Sequence, residues 1–476
     1  MALARGRRPL WIAVLCCPFL TAALLWWPDD AEGPWGTSSA EAQRELEAGL
    51  VAWTKAYHRE ALDRFTAASS LDPAFAAPKA LMLDLFPPGH NARERLTAEL
   101  AEVDTLGLPP RERFLVDHAL ARAGASDEDP SQVVEAFLEA HPDDPFGLQA
   151  SCDEQWSLQH WDEAEACYAR LLEQNPSWAM ALRRLGHIAM HRGYFKEAKN
   201  HFLTYRYMAP DQAAPYLSLG QLLILLGRYD AANDAIDGAI LIEPDLCAAH
   251  LHRIRLLRYT DQMSEARRAL ARLRAEPFCA TEEETGQLCA MEAWIDYQEG
   301  DFEAARTTLD GVCLERRQGF DLLAHRLAVM DGRVEDGKAM ETALHNHFEE
   351  VAATELSVHV SFYAAVQLHM EGVRELAAGD YSDAAARFQA VDERLGYWGG
   401  DRSGFKLFNR LNWLRVLEWQ GKDRDAQALR REIDRVNPKV VEGFPLTDLD
   451  RYADLRDSQL ASLGPGLHER RVHEAP

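Results

Sequence analysis

The chain lacks the short motifs on which most enzymatic chemistry is built. Neither GxSxG nor HExxH occurs in its 476 residues, which removes the serine-hydrolase elbow and the common zinc-protease helix. Residues 332–339, GRVEDGKA, come near the phosphate-binding loop G-x4-G-K-[ST]. Ala339 offers no hydroxyl to a metal, however, and no strand pattern precedes the stretch, so it reads as a turn. Runs of β-branched residues with alternating polarity are also missing, and this makes the chain all-α. An excess of positive charge is absent too. Lys+Arg 51 against Asp+Glu 76 gives a net charge of −25, and such a chain repels phosphate backbones, which excludes general nucleic-acid binding.

Cysteine is scarce. Of eight, Cys16 and Cys17 lie in an apolar run, and Cys152, Cys167, Cys247, Cys279, Cys289 and Cys313 are scattered with no CxxC pair. That argues against a zinc knuckle or a thioredoxin-type motif. Six cysteines in so long a chain are not a disulfide framework, so separate buried thiols are expected. The alternative is a Cys279–Cys289 bridge across a loop in an oxidising compartment. Histidine is more plentiful, at 17. His345 and His347 are two residues apart and point to different sides of a helix. His187 and His191 share one face, but two histidines alone seldom make a tight metal site. No metal and no cofactor is expected.

The positive features begin at the N-terminus. Arg5, Arg7 and Arg8 precede an apolar run from Leu10 to Trp27, with Asp29 and Asp30 directly after it. As a helix, residues 10–27 would span roughly 27 Å, close to a bilayer's hydrocarbon thickness. The arginines would hold the N-terminus in the cytoplasm, with Trp26 and Trp27 at the far interface. No small-x-small triplet lies just after the run, so an uncleaved inner-membrane anchor is the expectation and a cleaved signal the alternative. In both cases the body of the chain is expected outside the cytoplasm, in the periplasm.

The strongest signal is a period. Residues 182–210 read LRRLGHIAMHRGYFKEAKNHFLTYRYMAP and residues 216–244 read YLSLGQLLILLGRYDAANDAIDGAILIEP. A shift of 34 lays Gly186 on Gly220, Gly193 on Gly227, Ala198 on Ala232 and Pro210 on Pro244. One step back, Trp161, Ala164, Tyr168 and Pro176 hold the equivalent places. Each residue type has a physical reason. Gly186 and Gly220 let two helices approach closely, and Gly193 and Gly227 suit the left-handed end of a first helix. Ala198 and Ala232 are small at the crossing, Phe202 and Ile236 fill the space between hairpins, and the prolines stop the second helix. Ser177, Asp211 and Asp245 are candidate N-caps for the helix that begins each next hairpin.

This pattern resembles the tetratricopeptide repeat, with Leu182-x2-Leu185-Gly186, Ala198-x3-Phe202 and Pro210 close to a full match. Weaker copies appear near Gly49, Ala61, Phe65, Ala68 and Pro73, around Met263, Ala266 and Leu270, and at EGDFEAA (299–305), AGDYSDA (378–384) and QGKDRDA (420–426). The resemblance implies a right-handed superhelical solenoid of roughly nine to eleven helical hairpins. The expected organisation is a membrane segment at 1–27 and a linker at 28–40. An N-terminal repeat with irregular hairpins occupies 41–142, then come well-formed repeats at 143–277, degenerate ones at 278–444, and a capping helix with a polar tail at 445–476.

In this family the first helices of successive hairpins line a concave surface that holds peptides. Carried over by register, the groove would present Arg183, Arg184, His187 and His191, then Gln221 beside the apolar Leu217, Ile224 and Leu225, then His252, Arg255, Arg258 and Tyr259. Trp156 would flank one side, and Trp294 with Tyr297 the other. A basic, aromatic-edged groove suits acidic or carboxylate-bearing partners, because arginine pairs with carboxylates bidentately and aromatic anchors dominate such contacts. The sequence departs from the family variant that clamps a C-terminal carboxylate. Arg183 and His187 stand where Lys and Asn would be, Ser218 where a second Asn would be, and Ala248 and His252 where Lys and Arg would be. The implied function is a membrane-anchored, non-enzymatic scaffold that binds protein or peptide partners. The alternative is a receptor or enzyme component for a small anionic ligand, which a closed pocket would favour over an open trough.

Overall fold

The computed structural model describes residues 35–86, 90–158, 160–310, 322–354, 358–395 and 403–440. The expected membrane run at 10–27 and the tail from 445 lie outside these residues. All elements among the described residues are helical, and none of those helices is long and apolar enough to cross a membrane. In chain order the first six are α1 (Ala40–Thr54), α2 (His58–Leu71), α3 (Ala76–Leu83), α4 (Asn91–Ala101), α5 (Pro110–Arg122) and α6 (Pro130–Ala140). Four hairpins come next: α7 (Pro145–Ser157) with α8 (Trp161–Gln174), α9 (Ala179–His191) with α10 (Phe195–Met208), α11 (Ala213–Leu225) with α12 (Tyr229–Ile242), and α13 (Cys247–Tyr259) with α14 (Met263–Leu273). The remainder are α15 (Glu282–Gln298), α16 (Phe302–Asp310), α17 (Leu322–Met330), α18 (Val334–Thr354), α19 (Val358–Ala377), α20 (Tyr381–Leu395), α21 (Ser403–Trp419) and α22 (Asp423–Val436).

From α7 to α14 the helix starts repeat every 34 residues. The architecture is therefore an all-α array of tetratricopeptide-like hairpins, and the side chains behave as the period requires. A β-carbon on Gly186 would overlap the Phe202 ring, and one on Gly220 would meet Ile236 at 3.1 Å. Gly193 and Gly227 end their helices at φ 79° and 65°. One period further on, Asp261 takes the same left-handed turn at φ 58°, a conformation that aspartate tolerates better than most residues. Gly337, in a stretch whose repeat signature is degraded, has its own reason: a β-carbon there would press on Val329 Cγ2 at 2.7 Å as α18 crosses α17.

Two expectations are corrected. Ser177, Asp211 and Asp245 are not N-caps, because α9, α11 and α13 begin one residue too late; their N-cap residues are Trp178, Gln212 and Leu246, none with a capping side chain. The Asp211 carboxylate instead accepts a hydrogen bond from the Tyr57 hydroxyl. Of the cysteines expected as separate thiols, the five described are disulfide-bonded, and Cys313 lies outside the described residues. Cys152 on α7 bonds Cys167 on α8, and Cys247 at the start of α13 bonds Cys279 just beyond α14, with Cα–Cα distances of 5.4 and 5.3 Å. Cys289 is disulfide-bonded as well, and Cys279 is not its partner. Helical hairpins bring residues 15 or 32 positions apart side by side, a proximity that linear spacing does not reveal.

The described residues form two compact units. The smaller comprises 35–46 and 65–128, and the larger 47–64 and 129–440. In the smaller unit, Glu112 of α5 is fully buried, and its carboxylate accepts backbone N–H groups from Gly36 at 2.6 Å, Ala76 at 2.9 Å and Ala77 at 3.0 Å. It thereby serves the N-terminus of α3, whose own N-cap, Phe75, has no side chain able to do so. Burial nonetheless raises the carboxyl above its ordinary range, against the lowering effect of those three bonds.

In the larger unit the last helices return to the repeats. Leu407, Phe408, Leu411 and Leu414 of α21 and Leu429, Ile433 and Val436 of α22 share one core with Leu222, Leu223, Ile236 and Leu256. The face that the periodic hairpins would leave open is thus covered along α11–α13 by the chain's own C-terminal hairpin.

Candidate functional site

The twelve predicted groove residues fall into two groups and one outlier. The first group sits on α7 and α9. Arg184 lies over the Trp156 ring with Cζ 4.7 Å from the centroid, and its Nη2 is 3.3 Å from Asp153 on α7. His191 stacks on Trp161 at 4.5 Å, and Trp156 stands edge-on to Trp161, His187 and His191 at 5.4, 6.3 and 6.0 Å. Burial, then the charge on Arg183, pushes His187 well below the ordinary histidine range and keeps the ring neutral. Arg183 shares the helix but acts electrostatically on His58 and Tyr205 as well. The 3.6-residue period explains the cluster: positions 184, 187 and 191 stack along one stripe of α9.

The second group surrounds a cavity of about 630 Å³ in the larger unit. Gln221 from α11, His252, Arg255, Arg258 and Tyr259 from α13, and Trp294 from α15 form one wall. Phe405, Phe408 and Leu411 of α21 face it, with Phe362 of α19 and Asn437 at the end of α22 completing the lining. This size falls within the range of small-molecule sites. The polar groups are held by neutral partners. Arg255 Nη1 lies 3.2 Å from His252 Nδ1, and His252 Nε2 lies 2.9 Å from the Gln221 amide. Arginine can only donate, so Nδ1 accepts, Nε2 carries the proton, and the Gln221 amide must turn its oxygen toward it. Burial, and next the Arg255 charge, pushes His252 down to about 3, so the imidazole is neutral at physiological pH.

Arg258 is the most constrained member. It is 6 % exposed; Nε donates to Gln298 Oε1 at 2.7 Å, Nη1 reaches the Met291 sulfur at 3.5 Å, and Cζ stands 5.5 Å from the Trp294 ring centroid. Burial pushes its pKa down to about 10, which leaves the guanidinium charged. Tyr297 is the outlier. It is fully buried beside Trp294, ring centroids 5.4 Å apart, packs with Ala293 and Phe302, and its hydroxyl accepts from Arg326 Nε at 3.0 Å. With no exposed surface, it belongs to the hairpin core and not to the groove.

The α21 side of the cavity escaped the sequence reading. A signal was present: residues 405–417, FKLFNRLNWLRVL, carry apolar residues on more than one helical face, the mark of a helix packed on both sides. No family model matches the chain, and no curated protein matches it. Among solved structures, it is similar to a chain in the crystal structure of the APC/C hetero-tetramer Cut9-Hcn1. The identity is 12%, covering 87% of this chain and 75% of that one at a TM-score of 0.45.

Proposed function

We propose that the protein is a non-enzymatic scaffold whose α7–α9 face receives an extended, acidic segment of a partner protein. The observation that carries this reading is the half-buried cluster of Trp156, Trp161, His187 and His191 with Arg184 laid across Trp156. Repeat arrays bind along successive first helices, and a rigid aromatic platform beside arginines combines contact area with carboxylate recognition. The return of α21 and α22 over α11–α13 moves this contact away from the mid-groove, to the stretch where the first helices still offer partly exposed aromatic rings.

The apolar run at 10–27 would tether this scaffold to the inner membrane with its body in the periplasm. Disulfide pairing supports that placement, since such bonds persist in oxidising compartments. A reporter active only outside the cytoplasm, fused behind residue 476, should be active; a silent reporter would overturn the orientation.

The binding reading is tested with arrays of acidic, neutral and basic 12-residue peptides probed with the full-length chain. Acidic peptides should be retained, with retention falling as salt rises and lost in Arg183→Glu/Arg184→Glu at unchanged helical content. Cross-links from bound peptide should map to 145–191. Retention indifferent to peptide charge and to both substitutions would sink the proposal.

A further inference from the structure

We infer that the cavity between α13 and α21 is a binding site for a small aromatic carboxylate, its head on Arg255 and Arg258 and its ring among Tyr259, Trp294, Phe405 and Phe408. This site is separate from the α7–α9 face and stands or falls independently of it.

The argument starts from charge. In a chain of net charge −25, a buried arginine would ordinarily find a carboxylate on a neighbouring helix, as buried Arg410 finds Asp392 at 2.7 Å and half-buried Arg374 finds Glu341 at 3.0 Å. Arg255 and Arg258 do not. Among the described residues, no aspartate or glutamate lines the cavity and neither arginine has an acidic partner. Their contacts are an imidazole, an amide, a thioether and an indole face. All of these orient a guanidinium without neutralising it. Three positions apart on α13, the two arginines share one stripe of the helix.

A buried charge held only by neutral dipoles is costly, and an incoming anion would offset that cost. The lowered pKa of Arg258 has the same origin. Arginine's planar fork fits a carboxylate bidentately. The neutral Gln221–His252 pair behind Arg255 fixes that fork in place without contributing a competing negative charge.

The rest of the wall chooses the body of the ligand. Apart from Gln221, Gln287 and Asn437, the surroundings of the charged and imidazole groups are aromatic or aliphatic. The volume of about 630 Å³ corresponds to roughly twenty water molecules at liquid density. An apolar ring system with one anionic head satisfies both halves of this lining. An aliphatic cation satisfies neither, and a large polyanion satisfies only the arginines.

The test is titration calorimetry on the full-length chain with 2-naphthoate and the larger pyrene-1-carboxylate. The isosteric 2-naphthamide and 2-naphthylmethylamine serve as uncharged and cationic controls. At least one carboxylate should bind one-to-one, roughly tenfold or more tighter than the amide, with the amine weakest. Arg255→Gln should weaken the carboxylate by about tenfold and leave the amide unchanged. Arg258→Gln should do the same where it folds, and the half-buried Arg255 keeps the test decisive where it does not. Ala290→Trp, which fills the cavity, should abolish binding, whereas Arg183→Glu should not affect it. No carboxylate binding below about 1 mM, equal binding of acid, amide and amine, or indifference to Arg255→Gln would each overturn the inference.

Discussion

The side chain of Asn437 occupies the space that a β-carbon on Gly227 would need. Its Nδ2 lies 3.4 Å from both the Ile224 carbonyl and the Tyr229 hydroxyl, so one buried amide serves a turn more than two hundred residues earlier. Gly227 is therefore constrained twice, by φ 65° and by this neighbour. Gly227→Ala should destabilise the larger unit by about 1–3 kcal/mol, and Asn437→Ala by about 1–3 kcal/mol through the orphaned turn groups. In both variants, amide exchange should rise first in α22 and in residues 224–229; protection unchanged in α22 would refute the coupling.

Gly186 tests the packing of a single hairpin. Because a β-carbon there would overlap Phe202, Gly186→Ala should cost about 1–3 kcal/mol by overpacking. Adding Phe202→Leu should recover part of that loss, whereas Phe202→Leu alone is destabilising. A double-mutant cycle by chemical denaturation reads the sign. Simple additivity would mean that the two residues do not meet.

The disulfides can be read directly. Non-reducing digestion and mass spectrometry should recover Cys152 linked to Cys167 and Cys247 linked to Cys279, with no Cys279–Cys289 peptide. Replacing Cys152 and Cys167 together by alanine should lower stability by about 3 kcal/mol, the chain-entropy value for a loop of this length. Recovery of alkylated, unpaired Cys152, Cys167, Cys247 or Cys279 from protein purified without reductant would contradict the pairing.

Acid should destabilise the fold through its buried histidines. His369 donates from Nδ1 to Asn409 Oδ1 at 2.9 Å and packs against Phe388, Phe405 and Phe408. Burial is the largest cause of its pKa falling to about 3. An unfolded histidine takes up its proton below about pH 6.5, while the folded ring stays neutral until about pH 3. The unfolded chain thus binds the extra proton throughout this window, and stability falls as pH drops from 6.5 toward 3. His369→Gln should flatten the pH dependence by roughly 1.4 kcal/mol per pH unit between about pH 6 and 4. His252, pushed down for the same main reason, should add a similar increment, and a profile unaltered by either substitution would count against both burials.

The hairpins were legible in the sequence because their determinants are local. Glycine, alanine and proline recur at fixed offsets, and each acts on the neighbouring turn or crossing. Arg184, His187 and His191 could be placed together for the same reason, as could His252, Arg255 and Arg258. The long-range pairing, by contrast, leaves no local trace. Nothing near Asn437 points to Ile224, and nothing near Glu112 points to Gly36 and Ala76. Those contacts depend on how far each hairpin rotates against the next, a quantity set by side-chain packing and invisible in a residue period. The closure of the groove by α21, and hence the conversion of a trough into a cavity, rests on contacts between segments far apart in the chain. Tyr297 was misplaced on a finer scale: it neighbours Trp294 on the same side of α15, and the small offset between them is enough to seat it wholly in the core.

Both described disulfides lie within a hairpin and never between hairpins. Under tension along the chain, α7 and α8 cannot separate from each other, nor can the two ends of the α13–α14 pair. The seams on either side of these two pairs are held by side-chain packing and by polar contacts such as Arg184–Asp153 and Gln221–His252. A pulling experiment on the oxidised chain should therefore yield at the seams beside these two pairs before the pairs themselves open, leaving both covalent loops intact. Reduction would add extra length to the steps that contain Cys152 and Cys247 without moving the forces at which the seams part. The crosslinks make two of the beads unbreakable and leave the string free to bend.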